Sequence, residues 1–192
     1  MKKWLCMVLC IGMMFGAVGC GDAEQTTEPE EKQEEQAKKE DTRGIAGSHY
    51  YDMCNAMMKN GFPQFETSYL ADEDINIVVN SQLQDVYTYT YGLSYVNSGE
   101  IVDGSFSIAN TDMLDNGTFL EEAKVFLNFC ATMPYDAMDA EKLQNWIAEN
   151  ITTVGSGEDG AEIVIGDAKF TLYGAEVNGT QTARTMYVEK AA

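Results

Sequence analysis

Tyr87-Thr88-Tyr89-Thr90-Tyr91-Gly92-Leu93-Ser94-Tyr95 alternates a large, mostly aromatic residue with a small or hydroxylic one. A strand turns successive side chains to opposite faces, whereas a helix would scatter these five large residues around its axis. Residues 84–96 therefore read as a strand. One face carries Tyr87, Tyr89, Tyr91, Leu93 and Tyr95, and the other carries Val86, Thr88, Thr90, Gly92 and Ser94. Asn97-Ser98-Gly99 is a hairpin signal. Residues 101–109 return as a second strand, with Val102, Gly104, Phe106 and Ile108 set against Asp103, Ser105 and Ser107.

Working outward, residues 45–60 show one apolar stripe at three-to-four spacing (Tyr50, Met53, Cys54, Met57, Met58), which predicts a helix. Asn60-Gly61-Phe62-Pro63 closes it, because Gly61 suits a left-handed cap and Pro63 forbids continuation. Residues 75–79 are a short β-branched strand. Beyond the hairpin, Asp115-Asn116-Gly117 marks a turn, and Thr118 with Glu121 forms a capping box for a helix with Phe119, Ala123, Phe126, Leu127 and Cys130 inward. Met133-Pro134 ends that helix. Asp136 or Asp139 caps a third, with Leu143, Trp146, Ile147 and Ile151 inward. After a loop at 155–160, strands are expected at 161–165, 168–173 and 182–188, joined at Gly166-Asp167 and at Val177-Asn178-Gly179-Thr180. The expected fold is α+β, in the order α-βββ-αα-βββ: an antiparallel sheet of about six strands with about three helices packed on it. The two halves share a helix-then-three-strands order without residue-level self-similarity.

The N-terminal side reads differently. Lys2-Lys3 precede an uncharged apolar run from Trp4 to Val18, followed by small and acidic residues. That is the three-part layout of a secretory signal, and the run is shorter than the roughly 20 residues that span hydrocarbon as a helix. Ala17-Val18-Gly19-Cys20 resembles the lipobox of bacterial lipoproteins, with Ala17 where Leu is commoner. The resemblance covers the first 20 residues. It implies that Cys20 becomes the first mature residue, thioether-linked to diacylglycerol, and that the lipid bilayer is one partner. Two acyl chains are enough for stable anchoring. Residues 20–44 are rich in Glu, Gln, Lys and Thr, without an aromatic or a large aliphatic residue ahead of Ile45, and read as a disordered acidic tether. The division is 1–19 signal peptide, 20–44 tether and 45–192 one globular domain. A membrane-bound site facing outward is expected, in a Gram-positive-type envelope.

The 192-residue chain carries a formal net charge of −19, which removal of Lys2 and Lys3 makes more negative. Such a surface repels nucleic acid and anionic headgroups, so no nucleic-acid partner is expected. Of the five cysteines, Cys6 and Cys10 leave with the signal and Cys20 takes lipid. Cys54 and Cys130 remain in a compartment that permits a disulfide. They form either one bridge, closing a loop of roughly 75 residues worth about 4 kcal/mol, or two packed thiols.

Catalytic signals are sparse. His49 and Cys54 lie five residues apart on a predicted helix, about 140° apart around its axis, so they do not form a nucleophile–base pair. No spacing supplies the three or four ligands of a zinc site. Asp72-Glu73-Asp74-Ile75-Asn76 looks like calcium-binding sequence, but Ile77 and Leu83 stand where an EF-hand loop needs Gly and Glu. The glycines at 155, 157 and 160 lack the Lys-Ser/Thr of a phosphate loop, and no nucleophile elbow is present. No metal or other cofactor is expected. Tyr87, Tyr89, Tyr91 and Tyr95 are the one constellation left. They are either an amphipathic binding face, since tyrosine offers rigid contact area and a hydroxyl, or the core face beneath the helices. The more polar opposite face favours the core. The reading is a non-enzymatic, anchored module that binds an extracellular protein, peptide or glycan. The alternatives are a small envelope hydrolase using carboxylates and an inhibitor-like domain acting on an extracellular enzyme.

Overall fold

A computed structural model describes residues 41–112, 115–155 and 160–192. Cys20, the signal, all of the tether but its last four residues and part of the 155–160 loop lie outside the described residues. The elements run α1 (Tyr50–Lys59), β1 (Thr67–Leu70), β2 (Ile75–Gln84), β3 (Tyr87–Tyr95), β4 (Ile101–Asn110), α2 (Asn116–Cys130), α3 (Ala140–Asn150), β5 (Ala161–Ile165), β6 (Ala168–Val177) and β7 (Thr180–Lys190). One antiparallel sheet takes the order β1-β2-β3-β4-β7-β6-β5. The fold is α+β as expected, with β1 as a seventh strand. β7 leaves its hairpin with β6 to lie beside β4, which joins the two halves edge to edge into a continuous sheet.

Local chemistry sets the helix ends. α1 starts at Tyr50 rather than Ile45, because the His49 ring accepts the Tyr51 amide at 3.2 Å and caps it. It ends as its sequence suggests: Gly61 has φ +93°, its amide bonds Met58, and the Phe62 amide reaches back to Met57 at 3.2 Å. α2 is capped by the Asp115 carboxylate, which accepts the Thr118 amide at 3.0 Å, so Thr118 sits inside the helix and is not its cap. Asp139 caps α3 through the Lys142 amide at 2.9 Å.

All three helices lie on one face of the sheet, over a core that includes Met53, Met57, Phe106, Ile108, Phe119, Leu127, Leu143, Ile147, Phe170 and Leu172. Arg184 on β7 is buried in the same layer. Its Nε donates to the Ile151 carbonyl at the end of α3 (2.7 Å) and its Nη1 to the Ala183 carbonyl (2.8 Å). A cation at a helix C-terminus meets the negative end of the helix dipole. Gly174, paired with Arg184 across the ladder, leaves the guanidinium its room, since a Cβ there would collide with it and with the Val154 carbonyl.

Residues 41–48 form a strap across one end of the sheet. The Arg43 guanidinium donates to the Glu73 and Asp74 carbonyls at 2.6 and 3.0 Å. Lys190, at the end of β7, donates to the Thr42 carbonyl. The Ile45 amide bonds the Ile101 carbonyl at 2.8 Å, and the Ile101 amide bonds Ser48 Oγ at 2.9 Å. The strap thus ties the β1–β2 turn, β4 and β7 together.

Candidate interaction surface

The tyrosine row of β3 faces the helices. Tyr87, Tyr89, Tyr91 and Tyr95 are 8%, 8%, 0% and 6% exposed. Tyr95 stacks on Tyr50 at 3.7 Å, Tyr91 meets Phe62 at 5.4 Å, Tyr89 meets Phe126 at 5.1 Å and Tyr87 meets Phe119 at 6.1 Å. Tyr89 donates its hydroxyl to Glu122 at 2.8 Å, while the Tyr87 and Tyr91 hydroxyls are buried without a hydrogen bond of ordinary geometry among the described residues. The binding-face reading of these four residues is corrected: they are core, because the apolar stripes of α1 and α2 close over them.

Cys54 and Cys130 are free thiols, both buried, so the disulfide alternative is set aside. Burial raises the Cys54 pKa to about 11, against the effect of the neighbouring Tyr91 hydroxyl, and pushes the Cys130 thiol well up. Neither is a thiolate near neutral pH, and only the thiolate is nucleophilic. His49 is a helix cap packed on Gly99, whose φ of +96° and lack of a Cβ admit the ring. Asp72, Glu73 and Asp74 lie in the β1–β2 turn, and Ile75 and Asn76 open β2. The Asp74 carboxylate accepts from Tyr69 at 2.7 Å and Asn97 at 3.2 Å, while Arg43 holds the turn's carbonyls. Among the described residues no group of three His, Cys, Asp or Glu side chains is placed to hold a metal ion.

Among the described residues no helix lies on the opposite face of the sheet. The strand registers align its side chains in rows. The row nearest the strap is charged: Ser94, Asp103, Glu189 and Lys169 stand side by side. There Lys169 pairs with Glu162 at 2.8 Å and Glu189 at 3.4 Å. The next row is Val79, Gly92, Ser105, Tyr187 and Thr171. Then come Ser81, Thr90, Ser107, Thr185 and Tyr173, and after them Leu83, Thr88, Ala109, Ala183 and Ala175. On β2, β3, β4, β7 and β6 these three rows hold no charge; the first of them continues onto β5 at Glu162. Hydroxyls bridge strands within them, Ser81 to Thr90 at 3.0 Å and Ser107 to Thr185 at 2.9 Å, and Tyr173 meets Tyr187 edge-on at 5.7 Å. Such cross-strand pairs stabilise the sheet without a covering layer. Val79, Leu83 and Tyr187 remain 64%, 67% and 48% exposed. A neutral face on a chain of net charge −19 sets this surface apart.

A second feature lies at the sheet's edge. Between α3 and β5 runs an open groove of about 450 Å³, floored by Trp146 and Ile163 and rimmed by Asp139, Glu141, Lys142, Asn145 and Glu149. Glu141 and Glu149 are eight residues apart on α3, which sets their backbones about 12 Å apart along the axis.

The alternation of residues 84–96 signals the two sheet faces, and the more polar opposite face favours the tyrosine side as core, which its burial bears out; the groove between α3 and β5 has no sequence signal. No protein-family model matches the chain, and neither a curated protein nor a solved structure matches it.

Proposed function

We propose that the chain is a lipid-anchored, non-enzymatic binding module of a bacterial envelope, held outside the membrane through Cys20 and meeting its ligand on the helix-free face of the sheet. The observation that carries the reading is the run of three rows that carry no charge on β2, β3, β4, β7 and β6, two of them hydroxyl-rich, on an otherwise acidic chain. With strands ~4.8 Å apart and rows ~6.8 Å apart, five strands and three rows make a patch of the order of 20 by 15 Å. Its area falls short of the roughly 800 Å² per partner of a standard protein–protein interface. The patch suits an extended ligand, a peptide or a glycan, lying on it. A Gram-positive-type envelope is the setting the anchor favours.

Two experiments test the two halves of this reading. Cys20→Ser should release the protein from membranes into the medium, and retention of that variant would remove the anchor. Pull-down from intact envelopes should return a specific ligand that Thr90→Arg with Thr185→Arg abolishes. Repeated recovery of nothing specific, or recovery indifferent to the two arginines, would overturn the surface assignment.

A further inference from the structure

The free edge of β5 and the groove beneath α3 form a different kind of site, and the geometry points to its being an acceptor for an eighth strand supplied by a cationic, extended peptide. β5 has β6 on one side and no described strand on the other. Ile165 pairs with Ala168 across the two-residue turn Gly166-Asp167. In such a hairpin the closing pair is hydrogen-bonded and alternate residues follow it, so Glu162 and Val164 turn their amide and carbonyl groups outward. Protein edges are commonly blunted by a bulge, a proline or a lysine. β5, Ala-Glu-Ile-Val-Ile, has no proline, lysine or register shift, and its one charge, Glu162, is tied to Lys169.

What flanks this edge selects the occupant. A strand laid beside β5 would send alternate side chains under α3, onto Trp146 and Ile163, and the rest toward the outer face beside Val164, which is 52% exposed. A backbone ladder with pockets for alternate side chains is the strand-addition mode of peptide recognition. The groove rim carries Asp139, Glu141 and Glu149 against Lys142 alone, so its charge is complementary to lysine or arginine. A second copy of the chain would bring the same acids to the same place, and the acid-rich 20–44 segment is equally mismatched. A basic peptide is the complement.

The molecule contains its own reporter. Its two tryptophans are Trp4 and Trp146, so in full-length chain carrying Trp4→Phe, held in detergent micelles, Trp146 is the sole emitter. An end-blocked peptide of four alternating Lys-Val pairs should shift its emission saturably, and the Glu-Val counterpart should not. Val164→Pro removes an outward amide at a position where an edge strand tolerates proline, and should weaken binding at least tenfold. Glu141→Lys with Glu149→Lys should do the same. A Lys-Val peptide with alternate backbone amides methylated should also bind at least tenfold more weakly to the unaltered groove, which tests the ladder even if Val164→Pro perturbs folding. An absent shift, equal binding of the Glu-Val peptide, or full binding of the methylated peptide would overturn the proposal. So would sedimentation showing that β5 pairs with β5 of a second copy.

Discussion

Replacing Tyr91 with phenylalanine removes one oxygen from the middle of the core. The side chain is 0% exposed, and its hydroxyl lies beside the Cys54 thiol and Asn80 without a hydrogen bond of ordinary geometry to either. A buried hydroxyl without a partner costs about 1 to 3 kcal/mol. The void left by its loss is of the order of 15 Å³, which at about 24 cal/mol per Å³ costs ~0.4 kcal/mol. Tyr91→Phe is therefore expected to stabilise the fold by about 0.6 to 2.6 kcal/mol, raising Tm by roughly 1 to 10 °C for a domain of this size. Calorimetry at neutral pH measures the shift. Guanidinium titration checks that the midpoint moves while the slope does not, as a pure stability change requires. A fall in Tm would refute the reasoning, since it would mean that the hydroxyl is bonded. A double-mutant cycle with Cys54→Ala would then show whether the thiol is its partner.

In a chain with Cys6, Cys10 and Cys20 changed to serine, Cys54 and Cys130 should resist a thiol reagent in the native state. Both should react after denaturation without reductant; fewer than two thiols there would mean that a bridge forms. Arg184→Ala should cost about 3 to 5 kcal/mol in urea titrations, because it leaves a cavity and strips the Ile151 carbonyl of its donor. Arg184→Met should cost clearly less, since it fills the space and removes a buried guanidinium whose Nη2 has no partner; equal costs would deny that the charge matters. Burial, and then the charge of Asp139, push the Tyr135 phenol up to about 12, and burial drives Tyr89 and Tyr91 upward as well. The folded state then favours the neutral phenol, so its stabilising effect is complete below the unfolded value near 10 and is lost as pH rises from there toward 12. Urea midpoints that stay flat across that window would contradict it.

The elements that announced themselves in the sequence are those whose burial is one-sided. Tyr87 to Tyr95 alternate because every second side chain enters the core, and the stripes of α1, α2 and α3 repeat for the same reason. β1 went unread because Thr67–Leu70 lies at an edge and is largely exposed, so burial has imposed no pattern on it. β2 runs past Val79 to Gln84 because its inner positions there are polar. Asn80 donates to the Pro63 carbonyl at 2.9 Å, which stabilises the strand without an apolar signature. Periodicity separates the faces of a strand, and the polarity contrast between Tyr87–Tyr95 and Thr88, Thr90 and Ser94 indicates which one is covered. The rows behind the tyrosines join residues of five strands, so they follow from the register and have no signature within any one stretch of sequence.

The strap has a mechanical meaning. For a chain held from its N-terminal side, tension arriving at residue 41 meets the sheet at the β1–β2 turn, at β4 and at the end of β7. β4 and β7 are interior strands, hydrogen-bonded on both sides. A pull would therefore be shared among the β1–β2 turn and two interior strands, and Arg43 and Lys190 make the attachment a harness with several straps.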